Sequence, residues 1–281
     1  MTAQATLPPR IAVLGYGAMG QRVAHAIVTE LAPTAPLSVV RRSDASLDGL
    51  SAPVLTTLPA LLAWQPDVVI ECAGHGAVVD WVVPLLAHGV DVIVASVGAL
   101  ADAALHAQLK QNAAVSRATL RTVTGAVGAL DALSAAAQAG LDTVRYTGRK
   151  PPLAWRGTPA EQAFDLANIR TATPIYTGTA RQAALAFPKN ANVAAAVALA
   201  GVGFENTQVQ LIADPDVQSN VHELHAHGAF GSFAFSIANA PLPDNPKTSW
   251  LAALSVQQEL KLYLQTHRLH IRTDRQTKRC C

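Results

Sequence analysis

A short apolar run, Ile11 to Leu14, feeds directly into Gly15-x-Gly17-x-x-Gly20, and no other feature limits the possible folds of this chain as strongly. Four consecutive apolar residues suit a strand buried on both faces. Each glycine of the turn then meets a separate need. Gly15 permits the tight turn, Gly17 lets a pyrophosphate approach the backbone, and Gly20 lets the next helix pack close to the strand. That helix, expected over 21–31, aims its unpaired amides and positive dipole end at the turn. Ala18 and Met19 complete the segment, which is read as a phosphate cradle for a dinucleotide; the alternative is an ordinary glycine-rich turn.

The second strand is expected over 37–40 and ends in Arg41-Arg42. An NAD-selective site carries an acid there to grip the ribose 2′-hydroxyl, and this chain has none at that point. A guanidinium fork matches a 2′-phosphate instead, so the cofactor is NAD or NADP, with NADP well tolerated through Arg41. The competing reading is a pair of solvated arginines at a strand end, and Asp44 and Asp48 lie near enough in sequence to blur the choice.

Strands and helices continue to alternate: apolar runs at 68–72 and 90–95, helices over 77–88 and 101–113, and a closing strand at 119–123. This grammar predicts an α/β domain over residues 1–124, a Rossmann-type doubly wound parallel sheet whose ligand crevice lies beyond the strand ends. Glu71-Cys72-Ala73-Gly74 and Ser96-Val97-Gly98 are two such ends; their small residues leave room for ribose and nicotinamide, although glycine after a strand also simply makes turns. Beyond Val123 the pattern changes to a helix over 130–139, a strand near 143–149, and two strands flanking His227-Gly228-Ala229-Phe230-Gly231. Those features predict a second α+β domain, residues 125–245, with a largely antiparallel sheet. A final helix at about 249–265, with Leu251, Leu254, Leu260 and Leu264 at helical spacing, is expected to return to the first domain.

Half of the 281 residues are hydrophobic and 14% are charged, as in a globular enzyme with a substantial core. The net charge of +2 is concentrated in the last fifteen residues, where five cations face one acid. That stretch reads as a disordered tail over 268–281; with no aromatics between its cations it does not resemble a nucleic-acid surface. Asp67, Asp80, Asp91 and Asp102 interrupt the most apolar region, and the first ten residues lack the charged start and apolar stretch of a secretory signal, so a cytoplasmic location without membrane attachment is expected. The three cysteines have neither disulfide-framework nor metal-knuckle spacing.

Candidate chemistry falls in two later segments. Phe187-Pro188-Lys189-Asn190-Ala191-Asn192 places a cation and two amides before an alanine-rich helix, an arrangement suited to anions; a plain helix cap is the alternative. Lys189 and Asn190 are candidates for the substrate carboxylates, with Lys150 or Lys247 assisting, and Asn192 for a carboxamide or carboxylate. The second segment, Asn220 to His227, holds three histidines. On a strand His222 shares a face with Leu224 and Ala226, whereas His225 and His227 point the other way, so the three rings cannot converge on one metal ion. His222 is either a satisfied core histidine or a proton shuttle titrating near neutrality.

Taken together, G-Y-G-A-M-G, T-G-A-V-G-A-L-D-A-L, T-G-R-K-P-P, F-P-K-N-A-N-V-A-A-A-V-A-L-A-G, the D-P to N-V-H-E stretch and N-P-K-T-S resemble the L-aspartate dehydrogenase family from Arg10 to about Arg272. The resemblance implies NAD(P)-dependent, reversible oxidation of L-aspartate through iminoaspartate to oxaloacetate and ammonia, with iminoaspartate also feeding NAD biosynthesis, and a homodimer. It places His222 at the active-site histidine and Ala126 and Asn192 at cofactor contacts. Two rival expectations remain: a related dehydrogenase acting on another small amino acid or a semialdehyde, and a non-catalytic NADP-binding redox sensor.

Overall fold

The structure is a computed structural model that describes residues 8–47, 49–188, 192–243 and 245–277; the side chains of 246, 247 and 267–277 lie outside that description. The chain divides into two compact units, residues 1–95, 112–121 and 256–281 in one and residues 96–111 and 122–255 in the other. Residues 96–111 thus cluster with the second unit, not with the 1–124 span read from the sequence.

In the first unit, strand β1 (Ile11–Leu14) leads into helix α1 (Ala18–Ala26), which continues as a wider π-type turn over Ile27–Leu31. β2 (Leu37–Val40), β3 (Val54–Leu55), α2 (Leu58–Ala63) and β4 (Val68–Glu71) follow. Next come α3 (His75–Ala77), a second π-type turn, α4 (Val83–Ala87), β5 (Asp91–Val94), α5 (Ala103–Ser116) and β6 (Leu120–Thr122). The six strands lie in the order β3-β2-β1-β4-β5-β6, and β1 pairs in parallel with both β2 and β4. The order reverses at β1, so the glycine turn sits at the topological switch point, where open parallel sheets bind ligands. The three central strands are buried at every position, which is why they read as short apolar runs, interrupted only by Ser38 in β2 and by Glu71 at the end of β4.

The last helix, α11 (Trp250–Thr277), joins this unit from Val256 onward. Ala253, Val256, Leu260, Tyr263 and Leu264 are buried, whereas Leu254 is 43% exposed, so the stripe is offset from the leucine spacing read in the sequence. Within the unit Glu259 pairs with Arg121 at 2.9 Å, and the Tyr263 hydroxyl donates to Asp91 at 2.9 Å. The tail expected from residue 268 falls largely outside the described residues: the helix backbone is described to Thr277 and the side chains to Thr266.

The second unit holds α6 (Leu130–Ala137), β7 (Leu141–Lys150), α7 (Ala160–Ala163), β8 (Thr173–Thr179), α8 (Ala180–Ala186), α9 (Asn192–Ala200) and α10 (Gly203–Asn206). Strands β9 (Thr207–Ala213), β10 (Asn220–Gly228) and β11 (Gly231–Asn239) complete its sheet, and a small ribbon of β12 (Pro241–Leu242) and β13 (Asn245–Ser249) follows. The sheet order is β11-β10-β7-β9-β8, antiparallel throughout except for β7 beside β9, so the second unit is α+β as its sequence grammar implied. The β10–β11 hairpin pairs up to Gly228 opposite Gly231, leaving only Ala229-Phe230 to turn the chain. Val193 to Ala198 of α9 are all buried; this helix is alanine-rich because it packs against α6 and α8 inside the unit.

Candidate active site

The glycines of the first turn occupy three different environments. Gly15 has φ of +94°, and a Cβ there would lie 2.8 Å from Ala73, so only glycine fits. A Cβ at Gly20 would run into the Gly15 carbonyl oxygen, whereas one at Gly17 would meet nothing within 4 Å. The open side of the turn is therefore Gly17, where a phosphate can approach bare backbone. It faces a cleft of about 830 Å³ lined by Gly15, Gly17, Arg41, Arg42, Ser43 and the Cys72–Ala77 segment, among others. Ala18, Met19 and Gly20 open α1 behind it.

Two further groups shape this cleft. Glu71, fully buried at the end of β4, accepts hydrogen bonds from the backbone amides of Ala73 at 2.7 Å and Gly74 at 2.8 Å, fixing the segment that lines the far wall. The sequence placed Glu71 at this strand end but gave no sign of its role, because its partners are backbone amides two and three residues ahead. Burial, followed by the Glu71 carboxylate, pushes the Cys72 thiol far up, so Cys72 serves as a neutral wall and not as a nucleophile. At the opposite wall the Arg41 guanidinium lies 5.9 Å from the Tyr16 ring centroid, close enough for the ring to steady the fork.

The second unit carries an independent cluster around His222. The alternation read from the sequence holds: His222, Leu224 and Ala226 are buried, while His225 and His227 are exposed on the other face of β10. His222 is 3% exposed, and its Nδ1 lies 2.7 Å from the Tyr146 hydroxyl on β7, with the two rings stacked at 5.9 Å. Burial first, and the nearby Lys150 cation second, push the imidazole down to about 3, so the ring is neutral at pH 7. Lys150 ends β7 with its Nζ 5.2 Å from the Trp155 ring centroid, and burial pushes its ammonium down to about 8. Trp155 is held in turn by its indole N–H donating to the Ile212 carbonyl at 3.2 Å. The cluster therefore places a neutral imidazole beside a cation that still bears charge at neutral pH.

The other residues singled out in the sequence are distributed as follows. Ala126 is buried in the second unit, and its carbonyl accepts from the Asn239 side-chain amide at 2.8 Å. Asn192, the first residue of α9, accepts from the Gly98 backbone amide at 3.0 Å through its side-chain oxygen. The glycine-containing strand end at 96–98 and the amide are thus brought together across ninety-four positions of sequence. Lys189, Asn190 and the Lys247 side chain lie outside the described residues. Tyr146 belongs to these sites without having been marked in the sequence, whereas Glu71 stood in a marked strand end and Gly148 in the T-G-R-K-P-P motif. Tyr146 carried one signal, its place two residues before Gly148 on the same face of a strand.

A doubly wound parallel sheet with a glycine cradle at its switch point, followed by an α+β unit carrying a buried histidine and a lysine, defines a two-domain pyridine-nucleotide-dependent dehydrogenase. Residues 15–122 match the NAD-binding domain of homoserine dehydrogenase, and residues 131–263 match the C-terminal domain of aspartate dehydrogenase. The chain is 45% identical over 259 residues to an L-aspartate dehydrogenase of Ralstonia nicotianae, covering 89% of this chain and 96% of the relative. It is 46% identical over 258 residues to that of a Polaromonas species, with the same coverage. Among solved structures, aspartate dehydrogenase from Thermotoga maritima superposes with a TM-score of 0.72 at 25% identity, covering 91% of this chain and 96% of that one. The chain belongs to the L-aspartate dehydrogenase family.

Proposed function

We propose that this protein catalyses the reversible oxidative deamination of L-aspartate, through iminoaspartate, to oxaloacetate and ammonia, and that it accepts NADP as well as NAD. The observation that carries this reading is the pairing, in one chain of this family, of an open glycine cradle with a buried neutral histidine beside a lysine. The cradle fits a dinucleotide: Gly17 leaves its backbone bare, and Gly15, Gly20, Ala18 and Met19 build the turn around it. Cys72, Ala73 and Gly74 form a wall of small residues for the ribose and nicotinamide, and the family resemblance adds Ala126 and Asn192 as cofactor contacts. When bound, the dinucleotide supplies the acceptor for the hydride leaving Cα of aspartate.

The chain's own residues carry the rest of the chemistry. Water must add to the imine carbon and lose a proton, and a neutral His222 can take that proton on a ring nitrogen, returning it when ammonia departs. Lys150, charged at neutral pH, is assigned to one substrate carboxylate, together with Lys189 and Asn190 from the sequence. The protein is further read as a cytoplasmic homodimer whose imine product is available to NAD biosynthesis; among the described residues no helix is long and apolar enough to cross a membrane. The direct test follows reduced-nicotinamide absorbance with aspartate and each cofactor, in both directions. Turnover of aspartate is expected, and absence of turnover with both cofactors, or preference for homoserine or another amino acid, would reject the assignment.

The Lys150 assignment makes a pH prediction. Its ammonium is present below about 8 and is lost above it, so a carboxylate held there binds below that pH and is released above. Succinate, a dicarboxylate without an amine of its own to titrate, is expected to inhibit less well as pH rises through about 8. The same limb should be flat in Lys150→Met, as read by competitive inhibition constants from pH 6 to roughly 9.5. An unchanged limb in the variant would remove Lys150 from the carboxylate site.

A further inference from the structure

The hydrogen bond at His222 has a geometric basis in three strand positions. In the β7–β10 register His222 faces Gly148 and Leu224 faces Tyr146, so Tyr146 lies diagonally across from His222 on the same face of the sheet. A Cβ at Gly148 would lie 2.7 Å from the Tyr146 hydroxyl oxygen and 3.3 Å from Leu211. The space a side chain would fill at 148 is therefore the space through which the tyrosine reaches the histidine. Tyr146 is 1% exposed, and burial pushes its phenol far up, so it keeps its proton.

We propose that Tyr146 is the positioning residue of the His222 centre: its hydroxyl holds the imidazole in one orientation through Nδ1, and Gly148 leaves the room for it. This rests on the reading of His222 as the acid–base group. A hydroxyl both donates and accepts, so the same partner serves the ring in either protonation state. When Nδ1 is bare the phenol donates to it. When Nδ1 carries hydrogen the phenol oxygen accepts from it, leaving Nε2 to take a proton from water. The orientation of the ring thus stays fixed while its charge changes, a role that a carboxylate plays in hydrolytic triads and that here falls to a neutral group. Neutrality suits this position, because a second charge in so buried a place would need a partner of its own.

The test is a double-mutant cycle on the holoenzyme. Tyr146→Phe is expected to lower kcat about tenfold or more, with KM for aspartate and the dissociation constant for NADPH within about twofold. In a His222→Ala background the same change should cost less than about twofold, because a residue that acts through histidine has nothing left to position. Full activity of Tyr146→Phe, or an equal loss in both backgrounds, overturns the proposal while leaving the role of His222 intact. A His222→Ala enzyme of full rate overturns the underlying reading and this proposal with it. Should Tyr146→Phe fail to fold, site-specific Tyr146→3-fluorotyrosine keeps the shape and hydroxyl but alters the hydrogen bond. A change in kcat of about threefold at constant KM then supports the role, and an unchanged kcat overturns it.

Discussion

His222→Ala is expected to reduce kcat for aspartate by about a hundredfold or more while NADPH binds as tightly as before. The second half of that expectation follows from which residues are assigned to the cofactor. The proposed cofactor contacts are the glycine cradle, the arginine pair, the Cys72–Gly74 wall, Ala126 and Asn192, and His222 is not among them. The first half follows from the state of the ring. A base has to be neutral before it acts, and burial beside Lys150 keeps this imidazole neutral well below pH 7. A base held near 3 accepts protons poorly; on the proposed carboxylate assignment a substrate anion beside Lys150 would offset the smaller of the two causes, with burial the larger one remaining. The measurement is steady-state kcat alongside NADPH titration by fluorescence. A variant with full kcat would show that the imidazole only fills the core, the alternative the sequence left open.

Arg41→Asp is expected to shift binding from NADP toward NAD, changing the NADP-to-NAD affinity ratio by about a hundredfold. A charge-assisted phosphate contact worth roughly 1.5–3 kcal/mol is lost, and a carboxylate able to accept from a ribose hydroxyl is gained. Arg41 lines the cleft with Arg42 and Ser43 and is flanked by the Tyr16 ring, which orders the guanidinium without a ligand. Dissociation constants for both oxidised cofactors would decide the matter. An equal loss of both would mean that Arg41 supports the turn and does not read the ribose. A smaller shift than expected would place part of the phosphate contact on Arg42, which lines the same cleft.

The parallel sheet was legible because its central strands are buried on both faces and their short apolar runs repeat at βαβ spacing. The glycine turn was legible because Gly15 and Gly20 meet local steric needs of the turn and Gly17 leaves its backbone bare. The face of β10 was legible too, since a period of two separates His222 from His225 and His227 wherever the strand lies. β3 and β8, in contrast, gave no clear pattern. β3 is only two half-buried residues, and β8 mixes threonine, glycine and proline with one buried isoleucine. The leucine stripe of the final helix was legible only in part: Leu260 and Leu264 are buried as their spacing implied, but Ala253, Val256 and Tyr263 complete the buried face and Leu254 faces solvent.

The sequence by itself determined the cradle, the alternation of the first unit, the change to antiparallel strands and the side of the sheet on which His222 stands, because steric need and periodicity act over a few neighbouring residues. Only the tertiary structure decided that Tyr146 meets His222 across seventy-six positions, that Gly98 meets Asn192, and that Lys150 shares the histidine's surroundings. Those meetings depend on strand order and register, and register is fixed by the packing of whole faces, which a local pattern does not contain.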